Sequence, residues 1–480
     1  MRRAIEIILL LAIFLSFTLL KRSNLSFFTG DQGVYFYSGY LWSQGILPYR
    51  DFFISHPPIQ LLIPTLSILL TGVHLSFLQL LPAIFGALSA ITLLAIMWRP
   101  MGSTKAIIAC ALFLLSYSTL LSTLYYTGQN LALLLLLMSV FLFLKRWKFF
   151  SGLILGIAQG VGIHILFPFV VLSVLQYRWN KQRLPQFLGG FFLTAGTWHL
   201  IFTVLAGSNF WKMIYLYHLK KPDASVYLSS KALVMGQMLE AHFLHLLLAL
   251  LGVVLLFLSL RESGGEEYAP KKRLLLLSAS IMGAYVLYLS FISPIFPHYF
   301  APLAPFVAIL ASEGLSRVFM FLSQFWKSGS QLGALGMSSV LLMLFLAAGY
   351  RTLSFYNLEQ RALAFDLAPL IAERIKEKLG PDETMFGDFG VVPTIALLSG
   401  RRIAATQVDS SVMRFVSGLY KIEDIIAAIE ADHVKAVITR KGKDIAYYPP
   451  FHEYLQRQFS LNETFAIPGR GVPIELWIRR

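Results

Sequence analysis

The feature that most constrains the fold of this chain is a succession of long apolar runs, which alternate with short basic clusters over residues 1–350. Of the 480 residues, 56% are hydrophobic and only 14% are charged, whereas a soluble domain carries about 25% charged residues. An apolar run of about twenty residues is long enough to cross the hydrocarbon core of a bilayer as a helix. The sequence therefore predicts an all-α polytopic membrane domain.

The basic clusters give these runs an orientation, because Lys and Arg accumulate in cytoplasmic loops. We predict about eleven transmembrane helices in a multi-pass cell-membrane protein whose N-terminus is cytoplasmic. The same loops account for the net charge of +15, so the charge does not indicate a nucleic-acid partner. The predicted spans are residues 4–20, 78–98, 106–122, 131–144, two short helices within 149–177 that break near Gly160–Gly162, 185–205, 241–260, 274–292, 300–315 and 331–350.

Residues 32–46 and 59–73 do not fit this pattern, because the first segment is polar and the second is shorter than the twenty or so residues that a span needs. We predict interfacial helices at both places. A larger change in composition occurs near residue 351. We therefore divide the chain into a membrane domain, residues 1–350, and a small α/β soluble domain, residues 351–480, on the extracytoplasmic side.

Within the soluble domain, apolar periodicity predicts helices at residues 357–379 and 422–431 and strands at residues 384–386 and 435–439. No convergent acid–base cluster is evident in this part of the sequence. We expect the domain to cap the outer cavity of the membrane domain and to help select the acceptor.

Residues 30–58, called the polar segment below, follow the first span and concentrate ionisable and aromatic side chains. A carboxylate placed where an apolar span meets water is costly and is usually functional. Asp31 is the first carboxylate after the first span, and two compatible roles are open to it. It is a general base, or it caps the N-terminus of the following helix.

Four motifs carry a resemblance to a known family: Gly30-Asp31-Gln32-Gly33-Val34-Tyr35, Gly45-Ile-Leu-Pro-Tyr-Arg-Asp-Phe52, the pair Pro57-Pro58, and Tyr299-Phe-Ala-Pro-Leu-Ala-Pro305. With the first span before them and a soluble domain after them, they resemble the GT-C superfamily of integral-membrane glycosyltransferases. The nearest branch is similar to family 39, which includes protein O-mannosyltransferases and aminoarabinose transferases. The resemblance implies a GT-C type fold over most of the chain.

The resemblance also implies an activity, the transfer of a hexosyl or pentosyl group from a polyprenyl-phosphate donor to a lipid, glycan or protein acceptor at the outer membrane face. Membrane lipids are then further partners. Asp31 is implied as the base that activates the acceptor. The implied substrate-binding residues are Gln32, Tyr35, Arg50, Asp51, His56, Gln129, Asn130, His164, His298 and Tyr299.

Several of these residues have an alternative structural role. Arg50 has a permanent charge and a forked donor set that suit a phosphate, but it also lies next to Asp51 and pairs with it equally well. His56 and His164 stand where many relatives have lysine, and they either contact phosphate when protonated or are ordinary interfacial histidines. His298 and Tyr299 either contact the lipid phosphate or belong to an aromatic belt at the membrane surface.

The same comparison bears on metals, because many relatives have acidic residues where this chain has Gln32 and the pair Gln129-Asn130. Neutral amides are poor ligands for hard cations, which prefer carboxylates. We therefore predict no required cofactor and no metal site, although a divalent metal is not excluded. Two other functions stay open at this point: a lipid or sugar transporter or flippase, which also uses broken helices, and an inactive scaffold with a GT-C-like fold.

Overall fold

The structure is a computed structural model that describes residues 2–21, 27–221, 231–262, 270–327, 331–467 and 470–480. Helices make up the part before the C-terminal domain. They are α1 (Arg2–Lys21), α2 (Asp31–Ser43), α3 (Pro58–Thr71), α4 (Leu75–Met101), α5 (Ser103–Leu114), α6 (Tyr117–Ser122), α7 (Gln129–Leu144), α8 (Lys148–Gln159), α9 (Leu166–Asn180), α10 (Leu184–Ala206), α11 (Ser208–Trp211), α12 (Tyr217–Lys220), α13 (Lys231–Glu262), α14 (Pro270–Phe291), α15 (Ala304–Lys327) and α16 (Gln331–Leu363).

Within the described residues, seven helical stretches are long and apolar enough to cross a membrane, and shorter apolar helices include α3, α5, α7 and α8. A helix lies at each of the eleven predicted spans. The predicted span 106–122 differs in detail, because Leu115 and Ser116 leave the helix and the Ser116 side chain caps the following helix α6. These helices confirm the prediction of a multi-pass membrane protein.

The predicted break near Gly160–Gly162 is present as the gap between α8 and α9, where Ile163–Ile165 form one turn of 3₁₀ helix. Glycines let α8 and α10 approach closely. A Cβ atom on Gly152 would lie 2.0 Å from the Phe187 carbonyl oxygen, and one on Gly190 would lie 2.1 Å from the Phe149 carbonyl oxygen. Small residues at such positions allow helix backbones to pack closely. In a membrane this packing stabilises helix association, because the hydrophobic effect does not drive helices together in lipid.

The C-terminal α/β domain comprises residues 364–480. Its helices are α17 (Ala368–Lys378), α18 (Val392–Ser399), α19 (Val412–Val416), α20 (Ile422–Ala431) and α21 (Pro449–Gln458), and its strands are β1 (Thr384–Gly387), β2 (Arg402–Ile403), β3 (Ala436–Arg440), β4 (Phe459–Ile467) and β5 (Arg470–Arg479). The strand order is β2-β1-β3-β5-β4. Strands β1, β2 and β3 run parallel, whereas β5 is antiparallel to both β3 and β4. The prediction of a small α/β domain is confirmed.

One predicted helix is wrong. Residues 357–379 do not form a single helix, because α16 continues to Leu363 and α17 begins at Ala368. The interruption has a tertiary cause: the Phe365 backbone N–H donates to the Phe27 carbonyl at 2.7 Å, and Ala364 pairs with Phe28 in an isolated bridge. The chain therefore leaves the helix to pair with the strand-like residues before α2, and residue 351 lies inside α16.

The polar segment and the C-terminal domain share one hydrophobic core. Val34, Tyr37 and Phe53 of the polar segment pack in the same buried cluster as Ile371 and Ile395 of the C-terminal domain. Hydrogen bonds join the same two parts: the Gly30 N–H donates to the Gly390 carbonyl at 2.8 Å, and the Ile403 N–H donates to the Tyr37 hydroxyl at 3.1 Å. The C-terminal domain is thus built directly onto the polar segment.

Candidate active site

Asp31 is the first residue of α2, and its place is fixed by the residue before it. Gly30 is the N-cap residue, it has φ 109°, and no side chain caps this helix. A φ of this kind suits glycine because a Cβ atom would be strained there. The Asp31 carboxylate therefore does not serve as the N-cap, although an acid in the first turn still interacts favourably with the helix dipole.

Asp31 contacts a tyrosine and, through it, a histidine. Tyr35 lies one helical turn further along α2, and its hydroxyl donates to Asp31 Oδ2 at 3.4 Å. The same hydroxyl oxygen lies 3.1 Å from His56 Nε2, and the two rings pack edge to face with centroids 4.8 Å apart. Burial raises the pKa of the Asp31 carboxyl, whereas Lys221 and the hydrogen bond from Tyr35 oppose this rise. The structure thus brings together the predicted site residues Asp31, Tyr35 and His56.

Two histidines of this group are neutral at pH 7. Burial, together with the charge of Lys221, lowers the pKa of His56 to about 3. Burial likewise lowers the pKa of His218 to about 3, and the His218 Nε2–H donates to the Ser55 carbonyl oxygen at 2.8 Å. Neither ring is a cation, so each can only exchange neutral hydrogen bonds with a ligand.

Lys221 is the cation at the centre of the group. Burial lowers the pKa of its ammonium, and the carboxylates of Asp31, Asp409 and Asp444 oppose this shift. Its Nζ atom lies 5.8 Å from the centre of the Tyr217 ring. In the part of the chain that the structure describes, no carboxylate lies within ion-pair distance of this ammonium. Three acids therefore surround Lys221 without touching it.

The C-terminal domain supplies charged residues that the sequence analysis missed. Asp388 follows β1, and Arg440 is the last residue of the parallel neighbour β3. Arg440 Nε donates to Asp388 Oδ2 and its second nitrogen donates to Asp388 Oδ1, both at 2.9 Å. Asp409 is also buried, and burial raises its pKa to about 6. Because the carboxyl ends of adjacent parallel strands meet at one sheet edge, the two predicted strands could have indicated this cluster.

The second polar loop, residues 123–130, is fixed by the predicted amides. Gln32 Oε1 accepts a hydrogen bond from the Tyr126 N–H at 3.1 Å, and Asn130 Nδ2 donates to the Ser122 carbonyl at 2.5 Å. Gln129, the other predicted residue here, begins α7. Both bonded amides are occupied by backbone groups, and the described residues contain no group of three or more His, Cys, Asp or Glu side chains placed to hold a metal ion.

Three of the predicted residues, Arg50, Asp51 and His164, have partners outside the group around Asp31. Arg50 is 51% exposed in its side chain and forms a two-pronged ion pair with Asp51, with both donor–acceptor distances at 2.8 Å. This pair is the alternative structural role that the sequence left open for Arg50. His164 is buried beside Tyr285, with ring centroids 6.0 Å apart, and its Nε2 atom has no partner among the described residues. His298 lies 3.2 Å from the Tyr125 hydroxyl through its Nδ1 atom.

Tyr299, the residue after His298, lies near the group around Asp31. Its ring packs edge to face against His298, with centroids 4.8 Å apart. Burial raises the pKa of the Tyr35 hydroxyl, and Asp31, Tyr299 and Asp409 add to this rise. Tyr299 therefore lies close enough to act on the group around Asp31, on the side of the membrane helices.

The sequence matches no family model and no curated protein. The fold, in contrast, is similar to solved structures. ArnT from Cupriavidus metallidurans in the apo state is 14% identical, with a TM-score of 0.64 over 97% of each chain. An oligosaccharyltransferase from Archaeoglobus fulgidus is 13% identical, with a TM-score of 0.57 over 97% of this chain and 74% of its own. The mycobacterial arabinofuranosyltransferase AftD is 13% identical, with a TM-score of 0.52 over 99% of this chain and 40% of its own. The chain therefore has the GT-C type fold that the resemblance implied.

Proposed function

We propose that this chain is a membrane glycosyltransferase, which moves a sugar from a polyprenyl-phosphate donor to an acceptor on the outer face of a cell membrane. The observation that carries the proposal is the position of Asp31, a partly buried carboxyl at the first residue of α2, where the polar segment packs against the C-terminal domain. Two of the similar structures support a lipid-phosphate donor. ArnT is bound to undecaprenyl phosphate in one structure, and the archaeal oligosaccharyltransferase AglB is bound to dolichol-phosphate in another.

The proposed reaction is a single displacement at the anomeric carbon of the donor sugar. The acceptor oxygen forms a bond to this carbon while the bond from the carbon to the phosphate oxygen breaks, and the phosphate takes the electron pair. The proton of the acceptor hydroxyl passes to the Asp31 carboxylate, which acts as general base. Asp31 must be ionised for this step, and the nearby charge of Lys221 favours the ionised form.

The neighbours of Asp31 position it and do not compete with it as bases. Tyr35 donates its hydroxyl hydrogen to one Asp31 oxygen, so the other oxygen stays available for the acceptor. His56 fixes the Tyr35 hydroxyl from the opposite side at 3.1 Å. A base held in one orientation by neutral hydrogen bonds keeps its geometry through the transfer, which favours a near-attack arrangement.

The lipid phosphate belongs on the membrane side of Asp31, because its polyprenyl chain lies in the bilayer. Tyr299 and His298, which precede α15, lie on that side. We assign them to the phosphate, with neutral hydrogen bonds from the His298 ring and the Tyr299 hydroxyl. Arg50 is a further candidate only if it leaves Asp51, which already occupies both ends of its guanidinium.

The rival functions are less well supported. A transporter concentrates its charged groups near the middle of the bilayer, whereas here Asp31, Lys221 and Asp409 gather beside the C-terminal domain. An inactive scaffold would have no reason to gather Lys221 and three acids in one place, since bringing charged groups out of water is costly.

The test uses the purified full-length protein in detergent with radiolabelled polyprenyl-phosphate hexoses and pentoses and an extract of the cell envelope as acceptor. Transfer from at least one donor is expected. Mass spectrometry of envelope glycans and glycolipids, with and without the gene, should show one product lost. If envelope products are identical and no donor is used, the chain is not a glycosyltransferase; movement of donor across vesicles without transfer would favour the flippase.

A further inference from the structure

Asp409 and Asp444 of the C-terminal domain face the group around Asp31 and have no part in the reaction described above. Asp409 is 7% exposed. Its Oδ1 atom accepts a hydrogen bond from the Ser411 N–H at 3.1 Å, and no described residue donates to its second oxygen. Asp444 Oδ1 accepts from the Val412 N–H at 2.7 Å. These bonds place both carboxyl groups beside the segment that carries Arg414, and Arg414 packs over Phe53 of the polar segment.

Arg414 borders this space from the same domain and has an unused donor. The residue is 7% exposed, and one of its terminal nitrogens donates to Gln407 Oε1 at 2.7 Å. Its Nε–H has no hydrogen-bond partner among the described residues, and the buried Tyr420 hydroxyl is likewise without one. Buried polar groups are nearly always satisfied in native proteins. Two such groups side by side therefore indicate a place that a ligand occupies.

Aromatic rings line the same place. The Arg414 guanidinium lies 4.4 Å from the centre of the Phe53 ring and 4.7 Å from that of Tyr420. Phe53 also packs edge to face against Tyr217, with centroids 5.5 Å apart. Rings next to hydrogen-bonding side chains suit a ligand that has both apolar faces and polar edges.

The direction of the displacement decides which substrate lies here, and this step rests on the proposed function. The leaving phosphate lies toward the bilayer, where its lipid chain is held. In a single displacement the attacking oxygen and the leaving oxygen stand on opposite sides of the anomeric carbon. The acceptor therefore approaches from the C-terminal domain, where Asp409, Asp444 and Arg414 lie.

We propose that these three residues form the acceptor subsite and that the acceptor is a carbohydrate with neighbouring hydroxyl groups, either a free glycan or the head group of a glycolipid. Carboxylate oxygens accept hydrogen bonds from hydroxyls, and the Arg414 Nε–H donates to a ring or hydroxyl oxygen. A strongly anionic acceptor is disfavoured, because it would place its own oxygen atoms against the carboxyl oxygens of Asp409 and Asp444.

The experiment measures binding by full-length protein in detergent to an array of neutral oligosaccharides, anionic oligosaccharides, glycolipids and Ser/Thr-containing peptides. Asp409→Asn and Asp444→Asn keep the shape and replace one carboxyl oxygen by an NH₂ group, and Asn tolerates the positive φ of 47° at residue 444. Asp382→Asn, an exposed acid of the same domain, is the matched control. We expect wild type and control to bind neutral carbohydrate and each subsite variant to bind it at least about tenfold more weakly.

Several outcomes would overturn the subsite: unchanged binding by both variants, a preference for peptides or anionic glycans, or no binding to any carbohydrate. Binding of glycolipids but not of the matching free glycans would identify the lipid-linked form of the acceptor. Undecaprenyl phosphate, titrated into the same samples, separates this test from the proposed function. Undecaprenyl phosphate should bind equally to wild type and to all variants. If it does not bind wild type, the proposed lipid-phosphate donor is refuted, whereas the acceptor subsite is still tested by the carbohydrate binding.

Discussion

The change of Asp31 to Asn tests the catalytic assignment with little structural disturbance. Asn has the shape of Asp, and its amide oxygen still accepts the hydrogen bond that the Tyr35 hydroxyl makes at 3.4 Å. The helix start is kept by Gly30, which caps α2 without a side-chain bond from residue 31. What the substitution removes is the negative charge and the ability to take a proton.

Two magnitudes follow from this geometry. Loss of a general base reduces the rate of transfer by about 10²-fold or more, which corresponds to about 2.7 kcal/mol in the activation free energy. The effect on folding is smaller and has two parts. Loss of an acid from the first helical turn costs about 0.3–1 kcal/mol of folding free energy. Burial raises the pKa of the Asp31 carboxyl, so ionising it in the folded protein is unfavourable. Asn does not ionise, and this offsets the loss. The melting temperature at pH 7 should therefore stay near that of wild type.

The assay is initial transfer rate from a radiolabelled polyprenyl-phosphate sugar between pH 5 and 8, with unfolding followed in the same detergent. In wild type, kcat/KM should fall as the pH drops through the raised pKa of Asp31, because the protonated carboxyl cannot accept a proton. Asp31→Asn should lose most of the rate and this acidic limb together. Asp51→Asn, which only breaks the surface pair with Arg50, is the control. Unimpaired transfer by a purified Asp31→Asn protein would refute the assignment.

Three further predictions concern charge. Burial raises the pKa of Asp409 from 3.8 to about 6, so the protonated carboxyl stabilises the folded protein. This contribution to the free energy of unfolding is about 3 kcal/mol; it is complete below about pH 4 and is lost as the pH rises to about 6. Asp409→Asn should flatten the melting temperature over that interval, and an unchanged slope would contradict the burial argument. Lys221→Met should shift the acidic limb of kcat/KM to higher pH, because Lys221 favours ionised Asp31. Arg50→Ala should leave this limb unchanged, because Arg50 is paired with Asp51 at the surface. Equal limbs in wild type and Lys221→Met would exclude the role of Lys221. A membrane-impermeant maleimide should label Asp382→Cys but not Arg183→Cys in intact cells, against the low background of buried Cys110, and the reverse pattern would invert the proposed topology.

The membrane helices could be predicted from the sequence because each depends on local composition and length. An apolar run of sufficient length must satisfy its own backbone hydrogen bonds in lipid, so it forms a helix whatever its neighbours do. Even the break between α8 and α9 is marked locally, by Gly160 and Gly162. The helix at residues 357–379 was mispredicted for the opposite reason. Its apolar periodicity continues through Phe365, and only the pairing with Phe27 and Phe28 interrupts it.

The predicted site residues also fall into two classes, those placed by local sequence and those placed by contacts with distant residues. Asp31, Tyr35 and His56 come together because α2 and the chain before α3 are close in sequence. The pairing of Arg50 with Asp51 is also local. From the sequence alone, however, a carboxylate and a phosphate are equally good partners for Arg50, since the guanidinium fits both. Lys221 belongs to none of the motifs in the sequence. Its proximity to Asp31, Asp409 and Asp444 depends on residues far away in the chain, which no local pattern indicates.

The acids of the C-terminal domain show where sequence reasoning could have gone further. Once β1 and β3 are predicted as parallel neighbours, Asp388 and Arg440 must share a sheet edge. What the sequence does not state is that this edge faces Asp31. That relation depends on the close approach of α2 to α18, where a Cβ atom on Gly33 would lie 2.6 Å from Thr394 Oγ1. A glycine inside a helix weakens it by up to about 1 kcal/mol relative to alanine. Gly33 therefore indicates close packing against another element, and this packing brings the acids of the C-terminal domain near Asp31.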